Sequence, residues 1–511
     1  MPPAHRMPLL DDAWRMVLLL TAALTLARIT VLFASPLDLY PDEAQYWLWS
    51  RSLAFGYYSK PPVVAWTIWA TTSLGGDAEP WIRLASPIYQ AGATLAVFAV
   101  ARKLYGEAAA FAAAALYALM PGVQLSAAVM ATDAPLLFFM GLALLAYVHL
   151  QSADGARRVG IAAGFGAAVG LAFMSKYAAV YLIIGVVLHL ALSREARAAW
   201  RPGAAAAALG ALALILAPNV AWNAAHGYAT LQHTAANAAW GGRQLFNWPE
   251  LWDFIASQFG VFGPIPFGVL LGGTAALALR RRLTSSDLML LCFVLPPLII
   301  VSSQAFISRA NANWSGAGYL PGAILVAAWL TRWRAKGWLA AALAFQGVLA
   351  ALFLLWVTVP STAEAMGMAN SFKRAKGWSQ LTRVVLDRAA VEGDLTAIAV
   401  NSRFFYNAMA YYGRRELAAP GAPPLTIWLL EEEPRNQAEE TAPLTTALGA
   451  RVLGVSLEQA WRDRMVGDFA AIKGREIVSI RLDDKRSRRA ELFVGEGFAP
   501  RPRVSAPSTP P

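Results

Sequence analysis

The chain has 511 residues, of which 57% are hydrophobic and 15% are charged, and its formal net charge is +11. A composition this apolar predicts a polytopic membrane protein and excludes an ordinary soluble protein. The positive charge does not indicate a nucleic-acid partner, because most basic residues before position 360 lie in short loops between apolar segments, as cytoplasmic loops require. The single cysteine, Cys292, excludes a disulfide within the chain.

Apolar segments of roughly 20 residues, the length that spans a bilayer, predict about eleven transmembrane helices. Their approximate limits are 14–34, 81–101, 108–126, 133–151, 158–174, 177–193, 203–221, 252–279, 286–304, 314–331 and 338–358. The first segment has no convincing signal-peptide cleavage site, so we expect it to remain as a helix. If the N-terminus is cytoplasmic, every basic cluster falls on the cytoplasmic side. This agreement supports both the number of predicted helices and the orientation of the chain in the membrane.

The change in composition along the chain predicts three parts. Residues 1–359 are expected to form a transmembrane domain whose first loop, 35–80, faces outward. Residues 360–498 mix charges with helical patterns and with short β-like runs at 396–400, 425–430, 476–480 and 490–494, which predicts a small α/β domain outside the membrane. The Pro- and Ser-rich tail, 499–511, is expected to be disordered.

The first outward loop carries an unusual concentration of charged and aromatic residues. It contains the adjacent carboxylates Asp42 and Glu43, then a series of Tyr, Trp and Phe residues, and finally Lys60 before a double proline. Residues 44–53 can form a helix that is too short to span a bilayer but suits its interface. Two acids at the mouth of a membrane protein are costly unless they have a function or a partner.

Several motifs, taken in chain order, resemble those of the GT-C glycosyltransferases. The first loop contains PDEAQYWLWSR and YYSKPP, and the later matches are MATDAPLLFF at 130–139, FMSKYAAVYL at 173–182, PNVAWNAAHGYATLQHTAANAAWGG at 218–242, WPELWDFIASQFGVFGPIPF at 248–267, NANWSGAGYLP at 311–321 and NSRFFYNAMAYYG at 401–413. Within this class the chain is most similar to bacterial relatives of protein O-mannosyltransferases and of the aminoarabinose transferase that modifies lipid A. The similarity covers nearly the whole length except the two ends.

The resemblance implies a membrane enzyme that moves a hexose or pentose from a polyprenyl-phosphate-linked donor to an acceptor, with inversion. It leaves the acceptor open among lipid A or another envelope lipid, a protein hydroxyl and a cell-surface glycan. Together with the placement of the basic loops, it predicts a location in the bacterial inner membrane, with a cytoplasmic N-terminus and a periplasmic C-terminal domain. Neither a cofactor nor a divalent metal is expected. The alternative from another class is a transporter or flippase of lipid-linked sugars, although charged residues within the spans are few.

Displacement of a polyprenyl phosphate from an anomeric carbon requires a base for the acceptor hydroxyl and cations for the departing phosphate. Asp42 matches the first-loop acid of the family and is the predicted base or acceptor-orienting group, with Glu43 as the second candidate. The structural alternative is that one of the two caps the following helix. Lys60 is the predicted phosphate contact, and its alternative is a lysine that snorkels to the membrane interface.

Other polar residues at the predicted outer ends of spans are further candidates. Lys176 is a second candidate phosphate partner or an interface anchor, and Arg51 serves either the donor or the structure. Asp133 is a candidate acid of the acceptor site or a helix cap. Rings and amides that suit a sugar, or that form an aromatic belt, are Tyr58, Trp222, His226, His233 and Asn313. The two histidines lack further ligands, so no metal site is predicted.

Overall fold

A computed structural model describes residues 11–228, 230, 232, 234–235 and 246–503. The chain divides into two compact units. Unit 1 comprises Met1–Ala34, Lys60–Val64 and Arg83–Leu354, and unit 2 comprises Ser35–Ser59, Ala65–Ile82 and Leu355–Pro511. The predicted first loop is therefore divided, because most of it groups with the C-terminal part of the chain. Most of the predicted disordered tail lies outside the described residues.

Long apolar helices form most of unit 1. In the described part of the chain, seven helices are long and apolar enough to cross a membrane, or up to nine if each of two bent pairs is one span. The seven are Asp12–Ala34, Glu79–Tyr105, Asp133–Leu150, Gly155–Ser175, Pro202–Ala225, Ser285–Ile307 and Lys336–Thr358. The bent pairs are Glu107–Leu119 with Pro121–Ala128, at 56°, and Trp248–Phe262 with Pro264–Leu279, at 115°. The protein is thus a polytopic helical membrane protein, as the sequence predicts.

Seven of the predicted spans correspond to these single helices and two correspond to the bent pairs, while the remaining two contain shorter helices. The segment 177–193 forms the 3₁₀ turn Tyr177–Ala179 and the helix Val180–Leu192, and 314–331 forms the 3₁₀ helix Ala312–Gly318 and the helix Tyr319–Arg332. The two short helices account for the difference between eleven predicted spans and nine, and the two bent pairs account for the difference between nine and seven. A 3₁₀ turn at the start shortens the regular helix that follows.

Small residues allow the helices of unit 1 to approach closely. A Cβ atom added at Gly166 would lie 2.0 Å from the carbonyl oxygen of Ala208, which is on the helix Pro202–Ala225. The Gly-rich run of the helix Gly155–Ser175 therefore serves close backbone packing. The short helix Arg194–Ala199 connects the helix Val180–Leu192 to the helix Pro202–Ala225.

A mixed five-stranded sheet forms the centre of unit 2. Its strands are β1 (Ala397–Val400), β2 (Leu425–Ile427), β3 (Arg451–Ser456), β4 (Phe469–Arg481) and β5 (Ser487–Phe498), in the spatial order β2-β1-β3-β5-β4. β1 is parallel to β2 and β3, whereas β5 is antiparallel to β3 and β4. The predicted α/β domain is confirmed, although β3 was not among the predicted strands.

Helices and turns complete unit 2 around this sheet. They are Pro41–Ser50, Val63–Gly75 (whose first two residues belong to unit 1), Pro360–Ala365, Ala369–Ala375 (3₁₀), Trp378–Glu392, Arg403–Tyr412, Arg414–Leu417, Gln437–Thr441, Thr446–Leu448 (3₁₀) and Gln459–Val466. One core contains Leu381 and Val385 packed with Ile398 and Val400, and a second contains Trp428 and Phe493. The sheet is therefore buried by apolar residues on both faces.

Hydrogen bonds join the first loop to the C-terminal residues inside unit 2. The backbone N–H of Leu39 donates to the hydroxyl of Tyr412 at 2.7 Å, and the backbone N–H of Trp378 donates to Asp38 at 2.7 Å. Burial raises the pKa of Tyr412 well above its ordinary value, so this hydroxyl stays protonated. The segment before the helix Pro41–Ser50 is therefore fixed by residues more than 300 positions away in the chain.

Candidate functional site

The two adjacent acids of the first loop have different environments. Pro41 begins the helix Pro41–Ser50, where its missing N–H costs nothing, and Asp42 and Glu43 follow in the first turn. Glu43 is fully buried, and its Oε2 accepts a hydrogen bond from the backbone N–H of Tyr40 at 2.9 Å. This is the capping geometry in which an acid at the third position reaches back to the cap residue. Asp42 is exposed and so is accessible to a substrate.

Aromatic stacking holds this helix in unit 2. The rings of Trp49 and Tyr57 stack with centroids 4.8 Å apart, and Trp47 meets Tyr411 edge-on at 5.0 Å. The Tyr57 hydroxyl donates to the carbonyl of Trp49 at 3.1 Å, and burial raises the pKa of Tyr57. The aromatic residues of the first loop are thus mostly buried supports for the helix that bears Asp42.

Tyr58 and Arg51 have partners within unit 2. The Tyr58 hydroxyl donates to the carbonyl of Pro434 at 3.1 Å, and burial raises its pKa. Arg51 donates to Asp77 at 3.0 Å and to the hydroxyl of Thr72 at 2.6 Å, so its guanidinium joins two parts of the unit. These contacts agree with the structural alternative for Arg51.

Lys60 begins the short segment Lys60–Val64 that belongs to unit 1. Its side chain is partly buried, and the two prolines that follow it are buried. Because proline fixes the backbone torsion φ, these residues restrict the segment immediately before the helix Val63–Gly75.

Three residues that the sequence analysis proposed separately meet in unit 1. Lys176 donates to Asp133 Oδ1 at 2.8 Å, and the side-chain amide of Asn313 donates to Asp133 Oδ2 at 3.4 Å. The ion pair is partly accessible, with side-chain exposures of 22% for Lys176 and 23% for Asp133. Both charges lie at helix ends where they are electrostatically favourable. The negative Asp133 begins the helix Asp133–Leu150, and the positive Lys176 follows the last residue of the helix Gly155–Ser175, so each complements the dipole of its helix.

The remaining sugar candidates lie near the C-terminal end of the helix Pro202–Ala225. The rings of Trp222 and His226 stack at 4.1 Å, and the Trp222 carbonyl lies 2.8 Å from His226 Nδ1. His233 lies outside the described residues. Among the residues that the structure describes, there is no group of three or more His, Cys, Asp or Glu side chains that could hold a metal ion.

A buried polar cluster was missed by the sequence analysis. The Tyr177 hydroxyl donates to Asn219 Oδ1 at 3.0 Å and accepts from the side-chain amide of Asn223 at 3.1 Å. Both asparagines are buried. The sequence does contain a signal for this cluster, because its residues belong to the motifs at 173–182 and 218–242 and lie close to Lys176 and Trp222.

Comparisons with known proteins give the context for these residues. Residues 59–222 match the family described as dolichyl-phosphate-mannose-protein mannosyltransferase. The chain is 36% identical over 367 residues to the lipid A galacturonosyltransferase RgtD of Rhizobium johnstonii, which covers 72% of this chain and 76% of that protein.

The fold is similar to that of ArnT from Cupriavidus metallidurans. The apo structure has a TM-score of 0.64 at 16% identity, over 95% of this chain and 98% of that chain. The structure of ArnT bound to undecaprenyl phosphate has a TM-score of 0.65 at 16% identity, over 96% and 100%. Both units of the present chain therefore have counterparts in one known architecture.

The helical membrane unit, the α/β unit and these similarities define a membrane glycosyltransferase of the GT-C class that depends on a lipid-linked sugar. The chain belongs to the GT-C family that includes the dolichyl-phosphate-mannose-protein mannosyltransferases and the lipid A galacturonosyltransferase of Rhizobium johnstonii. The predicted class and enzyme type are thus confirmed, and the transporter alternative is not supported.

Proposed function

We propose that this protein transfers a sugar from a polyprenyl-phosphate-linked donor to lipid A or a related envelope glycolipid. The observation that carries this proposal is the 36% identity over 367 residues to a lipid A galacturonosyltransferase. The undecaprenyl phosphate bound to the structurally similar ArnT supports a polyprenyl phosphate as the carrier. Galacturonic acid is therefore the first sugar to test.

The proposed location is the bacterial inner membrane, with a cytoplasmic N-terminus and unit 2 on the periplasmic side. The segregation of basic loops supports this orientation, provided that the short helices around Tyr177–Leu192 and Tyr319–Arg332 also cross. A helix of 16 residues such as Tyr177–Leu192 covers about 24 Å at about 1.5 Å per residue, close to the hydrocarbon thickness of about 30 Å. Eleven crossings then place the two chain ends on opposite sides.

Asp42 is the proposed base. Its exposure and its place in the first turn of a fixed helix support this role over that of the buried, capping Glu43. The carboxylate would take the proton of the acceptor hydroxyl as the oxygen attacks the anomeric carbon. The bond from that carbon to the phosphate oxygen then breaks, and the polyprenyl phosphate leaves with the bonding electrons and a second negative charge. The attack from the opposite face gives inversion.

Lys60 and Lys176 are the proposed cations for the phosphate, and Asp133 and Asn313 are the proposed acceptor-side groups. The contact of Asp133 with both Lys176 and Asn313 supports the placement of these three residues in one site. A cation near the phosphate stabilises the transition state more than the ground state, because the phosphate gains charge as the bond breaks.

The test uses the full-length protein in nanodiscs that contain purified lipid A and polyprenyl-phosphate-linked galacturonic acid. Mass spectrometry of the extracted lipid should show lipid A with one added uronic acid, dependent on both substrates. A protein or a glycan that becomes labelled while lipid A does not would refute the proposed acceptor. Labelling of lipid A with another sugar, but not with galacturonic acid, would correct the proposed donor.

A further inference from the structure

A strongly cationic cavity of about 520 Å³ lies in unit 2. It is lined by residues of the 3₁₀ helix Ala369–Ala375, the start of the helix Arg403–Tyr412, and the turn that joins β4 to β5. Six of its eleven lining residues are basic: Lys373, Arg374, Lys485, Arg486, Arg488 and Arg489. None of the described lining residues is acidic. We call this cavity the cationic pocket.

One of these cations, Arg488, is held in place by backbone carbonyls and an aromatic ring. Arg488 Nη2 donates to the carbonyls of Lys373 at 3.1 Å and Lys376 at 3.0 Å, and its guanidinium lies 3.4 Å from the ring centroid of Trp378. Burial lowers the pKa of Arg488 to about 10, so the group keeps its charge at neutral pH. The two carbonyls and the ring orient the guanidinium, and the nearby Asp38 carboxylate attracts its charge.

The other cations are only weakly compensated by nearby acids. Arg486 donates to the side-chain oxygen of Asn370 at 3.0 Å and lies 3.8 Å from Asp483, while Arg374 faces the ring of Phe404 at 5.8 Å. Lys373, Lys485 and Arg489 are exposed. Cations gathered at this density repel one another, and a bound anion would relieve the repulsion.

The cationic pocket reaches the helix that bears the proposed base. Pro41 lines the pocket and is the first residue of the helix Pro41–Ser50, so the next residue along the chain is Asp42. Asp38, three residues before Pro41, accepts hydrogen bonds from the backbone N–H groups of Trp378 and Ser379. These bonds join the same segment to the pocket wall. An anion held here would therefore lie beside the first turn that carries Asp42.

We propose that the cationic pocket binds the oxyanion groups, phosphate or carboxylate, of the acceptor glycolipid headgroup and so presents an acceptor hydroxyl to Asp42. Guanidinium and ammonium donors form strong, charge-assisted hydrogen bonds with such oxyanions. A volume of about 520 Å³ accommodates a charged sugar but not the acyl chains, which stay in the bilayer. This inference rests on the proposed glycolipid acceptor.

The test compares two triple variants of the full-length protein. Lys373→Gln with Lys485→Gln and Arg489→Gln removes three exposed pocket charges. The matched control, Arg415→Gln with Lys473→Gln and Arg501→Gln, removes three exposed charges of unit 2 that do not line the pocket. Both are assayed in phosphatidylcholine nanodiscs, alone, with phosphatidylglycerol, or with purified lipid A.

The pocket variant should raise the KM for lipid A by roughly tenfold or more, since several charge-assisted contacts are lost, and should leave the KM for the donor within about twofold. Its equilibrium binding to lipid A nanodiscs should weaken to a similar degree, whereas the control should match the wild type. Equal lipid A binding by the pocket variant and the wild type would overturn the proposal. A rise confined to the KM for the donor would also overturn it. The same holds if the loss of nanodisc binding depends on the phosphatidylglycerol content and not on lipid A.

The single variant Lys485→Gln gives a second measurement if the triple variant folds poorly. The backbone N–H of Lys485, not its side chain, bonds to Asp483, so the turn keeps this contact. Separate measurements of lipid A binding and of sugar transfer also distinguish the proposed function from the proposed role of the pocket. A wild type that binds lipid A through the pocket but never modifies it would refute the proposed function alone, and unchanged transfer by both pocket variants would refute the pocket alone.

Discussion

At the residue scale, exposure separates two neighbouring carboxylates that look equivalent in the sequence. Asp42 is exposed, whereas Glu43 is fully buried and its carboxylate accepts the backbone N–H of Tyr40. A base must reach the acceptor hydroxyl, and a cap must reach its own backbone, so Glu43 acts as the cap and Asp42 remains the proposed base. Lys60 differs again, because its proposed role rests on charge rather than on proton transfer.

Asp42→Asn should nearly abolish transfer and leave the melting temperature of the protein unchanged. The amide keeps the shape of the carboxylate but cannot accept the proton, so the loss should lie mainly in kcat. Glu43→Gln is the matched control, since glutamine also fills the capping position and should cost about 1 kcal/mol of stability or less. Full activity in Asp42→Asn together with loss of activity in Glu43→Gln would show that Glu43, not Asp42, is the base.

Lys60→Ala should reduce kcat/KM for the polyprenyl-phosphate sugar. One charge-assisted contact near a low-dielectric boundary contributes on the order of 2–4 kcal/mol, equivalent to about 30- to 1000-fold in rate. Lys60→Arg should recover part of the loss, because the guanidinium keeps the charge but places it differently. Steady-state kinetics in nanodiscs at several donor concentrations measure the effect. Values within about twofold of the wild type for both variants would show that Lys60 only snorkels.

At the element scale, helix ends bring the charges of unit 1 together. Asp133 lies at the start of one helix and Lys176 follows the end of the next, and antiparallel neighbours place such ends at the same level. Asn313 joins them from the 3₁₀ helix Ala312–Gly318. An isolated, partly exposed ion pair stabilises a protein by only about 0–1 kcal/mol, so stability alone is a weak reason for this arrangement.

Asp133→Asn and Lys176→Gln should each lower transfer by more than their effect on stability explains. Because the side chains contact each other, the double variant should lose less than the product of the two single losses. The readouts are kcat/KM for each substrate and the melting temperature, and Asn313→Ala completes the series. Losses that appear in the melting temperature alone, with kcat/KM unchanged, would assign the pair to structure.

At the scale of the whole molecule, the distribution of charge predicts the membrane orientation. Reporter fusions near residues 103, 157, 197, 281 and 334 should report the cytoplasm, and fusions near 60, 235 and 430 should report the periplasm. The short helices at 177–193 and 314–331 make this a demanding test, since each crossing reverses the expected side. A cytoplasmic signal at 430 would show that the number of crossings is not eleven and that unit 2 cannot receive a periplasmic acceptor.

The sequence by itself determined the membrane class, the positions of the helices and the enzyme family. These features depend on local properties: the length of apolar runs, the placement of basic loops and short motifs around Asp42, Asp133 and Lys176. Strand β3 was missed because Gly454 weakens its pattern, and the ring of Phe493 explains the glycine, since it would lie 2.3 Å from an added Cβ.

Tertiary structure decided which of these residues share an environment. Glu43 caps its own helix through a local contact. The position of that helix, however, depends on hydrogen bonds from the first loop to Trp378 and Tyr412, which lie more than 300 residues away in the chain. The cationic pocket likewise combines residues near 373 with residues near 488. Such groupings follow from how the sheet, the first loop and the connecting turns pack, and sequence spacing carries no record of contacts between segments over 100 residues apart.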